Sequence, residues 1–146
     1  MTKRIWLAAL AFTVLAACSN DKNGTGPALG GIEGSWSATA LTFIQVAPPN
    51  MQVDAIAGGA GLTITFNANG TYQTVTTSPG QPDDMSTGSV SLNGNMMTLD
   101  ELGGSTIVGT YSVVNNVMTV NLTTGIEFDF GSGDEAATVQ GTFVKQ

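Results

Sequence analysis

Few residues in this chain are able to carry chemistry. Cys18 is the single cysteine, and there is no histidine. That excludes an internal disulfide, a histidine metal site and a His-based triad. A Ser or Thr nucleophile would need lysine as its base. Past the first four residues there are only Lys22, in a Gly-rich stretch, and Lys145, next to the last residue. Acids stand side by side at Asp83-Asp84, Asp100-Glu101 and Asp134-Glu135. On a strand such neighbours point to opposite faces, and in a turn they are solvated. Glu127 and Asp129 do share a face, with Asp134 and Glu135 close in sequence. Oxygen donors so grouped suit Ca²⁺ or form a solvated acidic face, and no EF-hand spacing favours the cation. The sequence therefore predicts no catalytic residue, no metal site and no cofactor, and the chain is not expected to be an enzyme. Acids outnumber Lys plus Arg by 11 to 4, which argues against nucleic acid as a partner.

The setting of Cys18 gives it a different use. Lys3 and Arg4 precede an apolar run from Ile5 to Ala17. That run is shorter than the about 20 residues a membrane-spanning helix needs, and its flanks are those of a secretory signal. It ends in Leu15-Ala16-Ala17-Cys18. This resembles the lipobox of bacterial lipoproteins, with small residues before an obligatory cysteine. The alternative is a plain secretory signal with an incidental cysteine. The resemblance implies cleavage before Cys18 and attachment of fatty acyl chains such as palmitate to it. The membrane then becomes a partner through the lipidated Cys18. An acyl chain contributes ~0.8 kcal/mol per buried CH₂, and stable anchoring takes more than one chain. Ser19 stands where Asp would mark retention at the inner membrane. By that resemblance the protein belongs to the bacterial cell envelope, on the outer membrane facing the periplasm. Residues 18–31 are polar, Gly-rich and aperiodic and predict a flexible tether. One domain is expected over 32–146.

Within that domain the pattern is one of strands. Abundant Thr and Ser with 19 Gly favour strands and turns over helices. Residues 88–99 (GSVSLNGNMMTL) and 109–120 (GTYSVVNNVMTV) are one pattern repeated, matching Gly88 with Gly109, Met97 with Met118 and Thr98 with Thr119. Each copy alternates apolar and polar residues on both sides of a turn, as a β-hairpin does. A loop at Gly94-Asn95 sets Leu92 opposite Met97 and Val90 opposite Leu99 on one face. A slip of one residue would send Leu99 to the polar set. A loop at Asn115-Asn116 likewise sets Val113 opposite Met118 and Tyr111 opposite Val120. Asn and Gly tolerate the positive φ of such turns.

A third hairpin over 61–77 turns at Ala68-Asn69-Gly70 and pairs Phe66 with Tyr72. Its inward face continues to Thr74 and Thr76, or to Val75 if a bulge intervenes. Residues 32–46 read as a long first strand. Residues 138–144 read as the last, with Val139, Gly141 and Phe143 on one side. Residues 117–130 are one strand bent at Gly125, or two. Pro48-Pro49 ends the first strand, Asn50 would cap a short helix over 51–57, and Gly58-Gly59 would stop it. The fold class is all-β: an antiparallel up-and-down barrel of eight strands, or nine if Gly125 breaks one. Closure removes exposed sheet edges, and a monomer is expected.

Gly34-Ser35-Trp36 opens this series and resembles the G-x-W signature at the start of a lipocalin barrel. There the Trp plugs the closed end and the Gly lets the chain turn into it. The resemblance covers most of 32–146 in layout, and these residues alone in motif. No Arg follows Arg4, so the arginine that packs over the Trp in typical lipocalins has no counterpart. Lys145 is the residue left to cover that end. The looser set of bacterial lipocalin-like lipoproteins is the better match. The resemblance implies a helical lid across the mouth, formed by Met51, Val53 and Ile56, although a helical turn over a core edge fits equally. It also implies a small apolar or amphipathic ligand inside the barrel. The expected pocket residues are Phe66, Tyr72, Thr74, Met97, Tyr111, Met118 and Phe128, where methionine adapts to irregular shapes. The alternative is a barrel filled by its own side chains, binding another envelope protein through its outer surface.

Overall fold

Alternating sequence becomes a single antiparallel sheet in the computed structural model, which describes residues 29–146. Its strands are β1 (Gly34–Gln45), β2 (Gln52–Asp54), β3 (Gly61–Phe66), β4 (Thr71–Thr77), β5 (Asp84–Asn93), β6 (Met96–Glu101), β7 (Thr106–Val114), β8 (Val117–Asp129) and β9 (Asp134–Lys145). From β3 to β9 each strand pairs with the next, and β1 pairs with both β3 and β9. The result is a closed eight-stranded barrel, with β2 as an additional short strand. No helix occurs among the described residues.

The hairpins take the register their patterns predict. Val90 faces Leu99 and Leu92 faces Met97. Tyr111 faces Val120 and Val113 faces Met118. Gly94, Asn115 and Asn116 all have positive φ, at 61°, 52° and 62°, as two-residue hairpin loops require. Phe66 faces Tyr72, and β3 and β4 pair without a register shift. Thr74 therefore keeps the inward parity and Val75 the outward one. Residues 117–129 form one strand, bent by irregular pairing with β9 between Leu122 and Ile126. Gly125 sits at that bend with φ 78°. A β-carbon there would collide with the Thr106 carbonyl oxygen, so only glycine lets β7 and β8 stay together through the bend.

The segment after β1 departs from expectation. No helix forms over 51–57. Asn50 adopts φ 58°, and its side-chain amide donates back to the carbonyls of Gln45 and Val46 at 3.3 and 3.2 Å. Gln52–Asp54 then pairs with Thr42–Ile44, and 55–59 make turns. The physical reason is an edge left open. β3 covers only Gly34–Ser37 of β1, so the far half of β1 has unpaired backbone groups that a following extended segment can satisfy. Met51 and Val53, two apart, fit that strand period better than a helix period.

The barrel has two unlike ends. At the end where β1 begins, Leu29, Ile32 and Trp36 have no exposed surface, and Phe66 is buried beside them. The Trp36 indole N–H donates to the Ile32 carbonyl at 2.7 Å. The Lys145 ammonium lies 5.3 Å from the centre of the Trp36 ring, which is within cation–π range. Leu29 falls inside the stretch read as tether, so the folded part starts at least three residues earlier than 32. A lone leucine among glycines gives no periodicity to read, yet its burial removes apolar area from water.

Candidate functional site

Between the plugged end and the opposite mouth the barrel interior holds a cavity of about 200 Å³. Its walls follow from strand alternation, since every second residue points inward. β1 contributes Leu41 and Phe43, β3 contributes Leu62, Ile64 and Phe66, and β9 contributes Val139 and Phe143. Met97 and Leu99 on β6, Ile107 on β7, and Met118, Val120, Leu122 and Ile126 on β8 complete the apolar surface. Four polar residues interrupt it: Tyr72 and Thr74 on β4, Ser86 on β5 and Glu101 on β6.

These four occupy one wall. Thr74 faces Ser86 across the β4–β5 pairing, and its hydroxyl donates to the Ser86 oxygen at 3.2 Å. Tyr72 faces Gly88, and Gly88 faces Glu101. A β-carbon on Gly88 would collide with the Tyr72 ring and the Asp100 carbonyl oxygen. The missing side chain therefore lets the Tyr72 ring lie across β5 toward Glu101. Burial pushes the Tyr72 phenol above its ordinary value, and the Glu101 carboxylate adds to that. A hydrogen bond with Ser86 opposes the rise, and Asp100 adds a smaller upward effect. The phenol accordingly stays protonated and available as a donor at neutral pH.

Of the residues read as a pocket, Phe66, Tyr72, Thr74, Met97 and Met118 line this cavity. Tyr111 and Phe128 do not. Tyr111 is half-buried against the core, with its hydroxyl beside Gly30. Phe128 stacks on Phe43, with ring centres 4.2 Å apart, and meets Phe130 edge-on at 5.0 Å. It pairs with Glu135 and so sits at the mouth rim. Of the expected lid residues, Ile56 packs against the core and Val53 pairs with Phe43, while Met51 is exposed. Cys18 lies outside the described residues.

The acids near the mouth serve the fold. One Asp129 carboxylate oxygen accepts the Gly131 and Gly133 amides at 2.7 and 3.0 Å. Those bonds hold the carboxyl below its ordinary value. Glu135 accepts from Ser132 and from the amide of buried Gln45, and both bonds lower its carboxyl as well. The Gln45 side-chain oxygen, Oε1, takes the Met51 backbone amide at 3.1 Å, which ties β1, β9 and the segment before β2 together. Among the described residues no three acidic or thiol groups converge as a cation site would need.

The expected pocket held five of the residues that line the cavity and omitted most of its aliphatic wall and two of its four polar residues, Ser86 and Glu101. Their signal was parity: Ser86 is two steps of alternation from Val90, and Glu101 one step from Leu99. Reading Asp100-Glu101 as a solvated pair hid it. No protein-family model and no curated protein matches this sequence.

Proposed function

We propose that this chain is a lipid-anchored bacterial envelope protein of the lipocalin-like kind, whose barrel binds a small apolar or amphipathic molecule. The observation that carries the reading is the apolar cavity of about 200 Å³ inside a barrel plugged at one end. Interiors are normally close-packed, and an apolar void of ~150 Å³ is enough to take a molecule the size of benzene. The buried Trp36 under Lys145 agrees with the G-x-W resemblance and gives the missing arginine a substitute. The lipobox-like run ending at Cys18 supports a membrane anchor, and the chain enters the barrel at its plugged end, opposite the mouth. With no histidine, and with Lys145 the single Lys or Arg of residues 29–146, binding is the activity this chemistry suits.

Native mass spectrometry of the protein purified from its own envelope tests the reading. A co-purifying small molecule is expected, and Met118→Trp should lose it by filling the cavity while the fold survives. A clean mass, together with no uptake of neutral apolar dyes, would instead favour a filled barrel that binds another envelope protein. The anchor has its own test. Labelled fatty acid should enter the wild type and not Cys18→Ser, and labelling of the serine variant would refute it.

A further inference from the structure

We infer that the cavity selects apolar molecules carrying a protonated amine, with the ammonium group at Glu101 and the apolar body against Met97 and Met118. The inference rests on the ligand-binding reading above and adds the head group. The cavity wall is apolar apart from Tyr72, Thr74, Ser86 and Glu101, and these lie on the three consecutive strands β4, β5 and β6. Polar groups gathered on one wall orient a ligand, while the rest of the surface only requires an apolar shape.

Glu101 decides the sign of the head group. It is half-buried at the mouth side of the cavity, one step of alternation beyond Leu99. Its carboxylate rests against Gly104, where any side chain would collide with it. Among the described residues no cation answers it. Lys145, the single Lys or Arg of residues 29–146, is held over Trp36 at the other end of the barrel. Asp84 shares the inward parity further out, opposite Thr76, so a ligand entering by the mouth meets a second carboxylate first. An anionic head would face both with no compensating charge. An ammonium would gain a charge-assisted hydrogen bond at Glu101, in surroundings less polar than water, where such attraction is stronger. The Ser86 and Tyr72 oxygens offer neutral acceptors beside it.

Three probes of equal length separate the head group from the body: hexylamine, 1-hexanol and hexanoate, titrated calorimetrically into the purified full chain at neutral pH. Hexylamine is expected to bind roughly tenfold or more tighter than hexanol, the usual worth of a hydrogen bond to a charged group, with hexanoate weakest. Glu101→Gln should remove the preference and bring hexylamine to the hexanol level in the same variant. The wild-type ranking stands as a test even if that variant folds poorly. Equal binding of hexylamine and hexanol, or tighter binding of hexanoate, would overturn the amine inference and leave the apolar site intact. Binding of none of the three would overturn both.

Discussion

The two ends of the barrel are made from the same alternating strands, and they differ in what fills the space between them. At the plugged end one large ring, Trp36, is clamped by Leu29, Ile32 and Phe66 from inside and covered by Lys145. At the mouth end the inward residues are mostly aliphatic, with Phe43 among them, Gly88 leaves an inward place without a side chain, and about 200 Å³ remains open. The plugged end is fixed by apolar burial and one indole hydrogen bond. The mouth is fixed by polar ties among Gln45, Met51, Ser132 and Glu135. Side-chain volume therefore separates the structural half of a small barrel from the half able to hold something. Strand pattern does not, because it is the same in both.

The largest expected effect tests whether the cavity half is truly apolar. Leu99 is buried on the cavity wall, and its neighbour Thr98 points to the outer face. Leu99→Asp should cost more than about 4 kcal/mol, the range of an unpaired buried charge, whereas Thr98→Asp should melt close to wild type. Equal melting temperatures would mean a wet interior and would erase the distinction between the halves.

Next in size is the contrast between the ends themselves. Trp36→Ala should cost about 3–5 kcal/mol, since packing around the lost ring cannot close the void. Ile107→Ala, beside space that is already open, should cost no more than about half of that, because the half-buried isoleucine forfeits fewer contacts. Denaturant unfolding of both variants checks this, and similar losses would show the cavity half to be as tightly packed as the plug.

The smallest effect is at the mouth and depends on pH. Asp129 and Glu135 both titrate below their ordinary values of 3.8 and 4.5 when folded. Their contribution is thus complete above those values and is lost as pH falls through the lowered folded ones. Protection of the Gly131 and Gly133 amides from hydrogen exchange should fall in that acid window while the plugged end stays protected. Asp129→Asn should weaken protection of those two amides at neutral pH and remove the acid-dependent change. Amides that respond alike at both ends would contradict a separately held rim.

Several features were legible because they depend on neighbours in the chain. The turns at Gly94-Asn95 and Asn115-Asn116 fixed the pairing of Leu92 with Met97 and of Val113 with Met118, since a slip would have turned whole faces outward. Inward parity then located Phe66, Tyr72, Thr74, Met97 and Met118 on the cavity wall. Parity alone overreached at Phe128, because it says which face a residue takes and not how far along the barrel it lies. The irregular pairing near Gly125 and the stacking on Phe43 carry that ring to the rim.

By itself, then, the sequence determined the all-β class, the hairpin registers and which residues face inward, all of which are local consequences of a two-residue period and of turns that need Asn or Gly. The tertiary structure alone decided that residues 52–54 join an open edge as a strand, that Leu29 belongs to the core, and that Glu101 shares a wall with Tyr72 and Ser86. Each of these depends on residues far apart in the chain meeting through barrel closure, and on how much volume they leave between them, which no local pattern encodes.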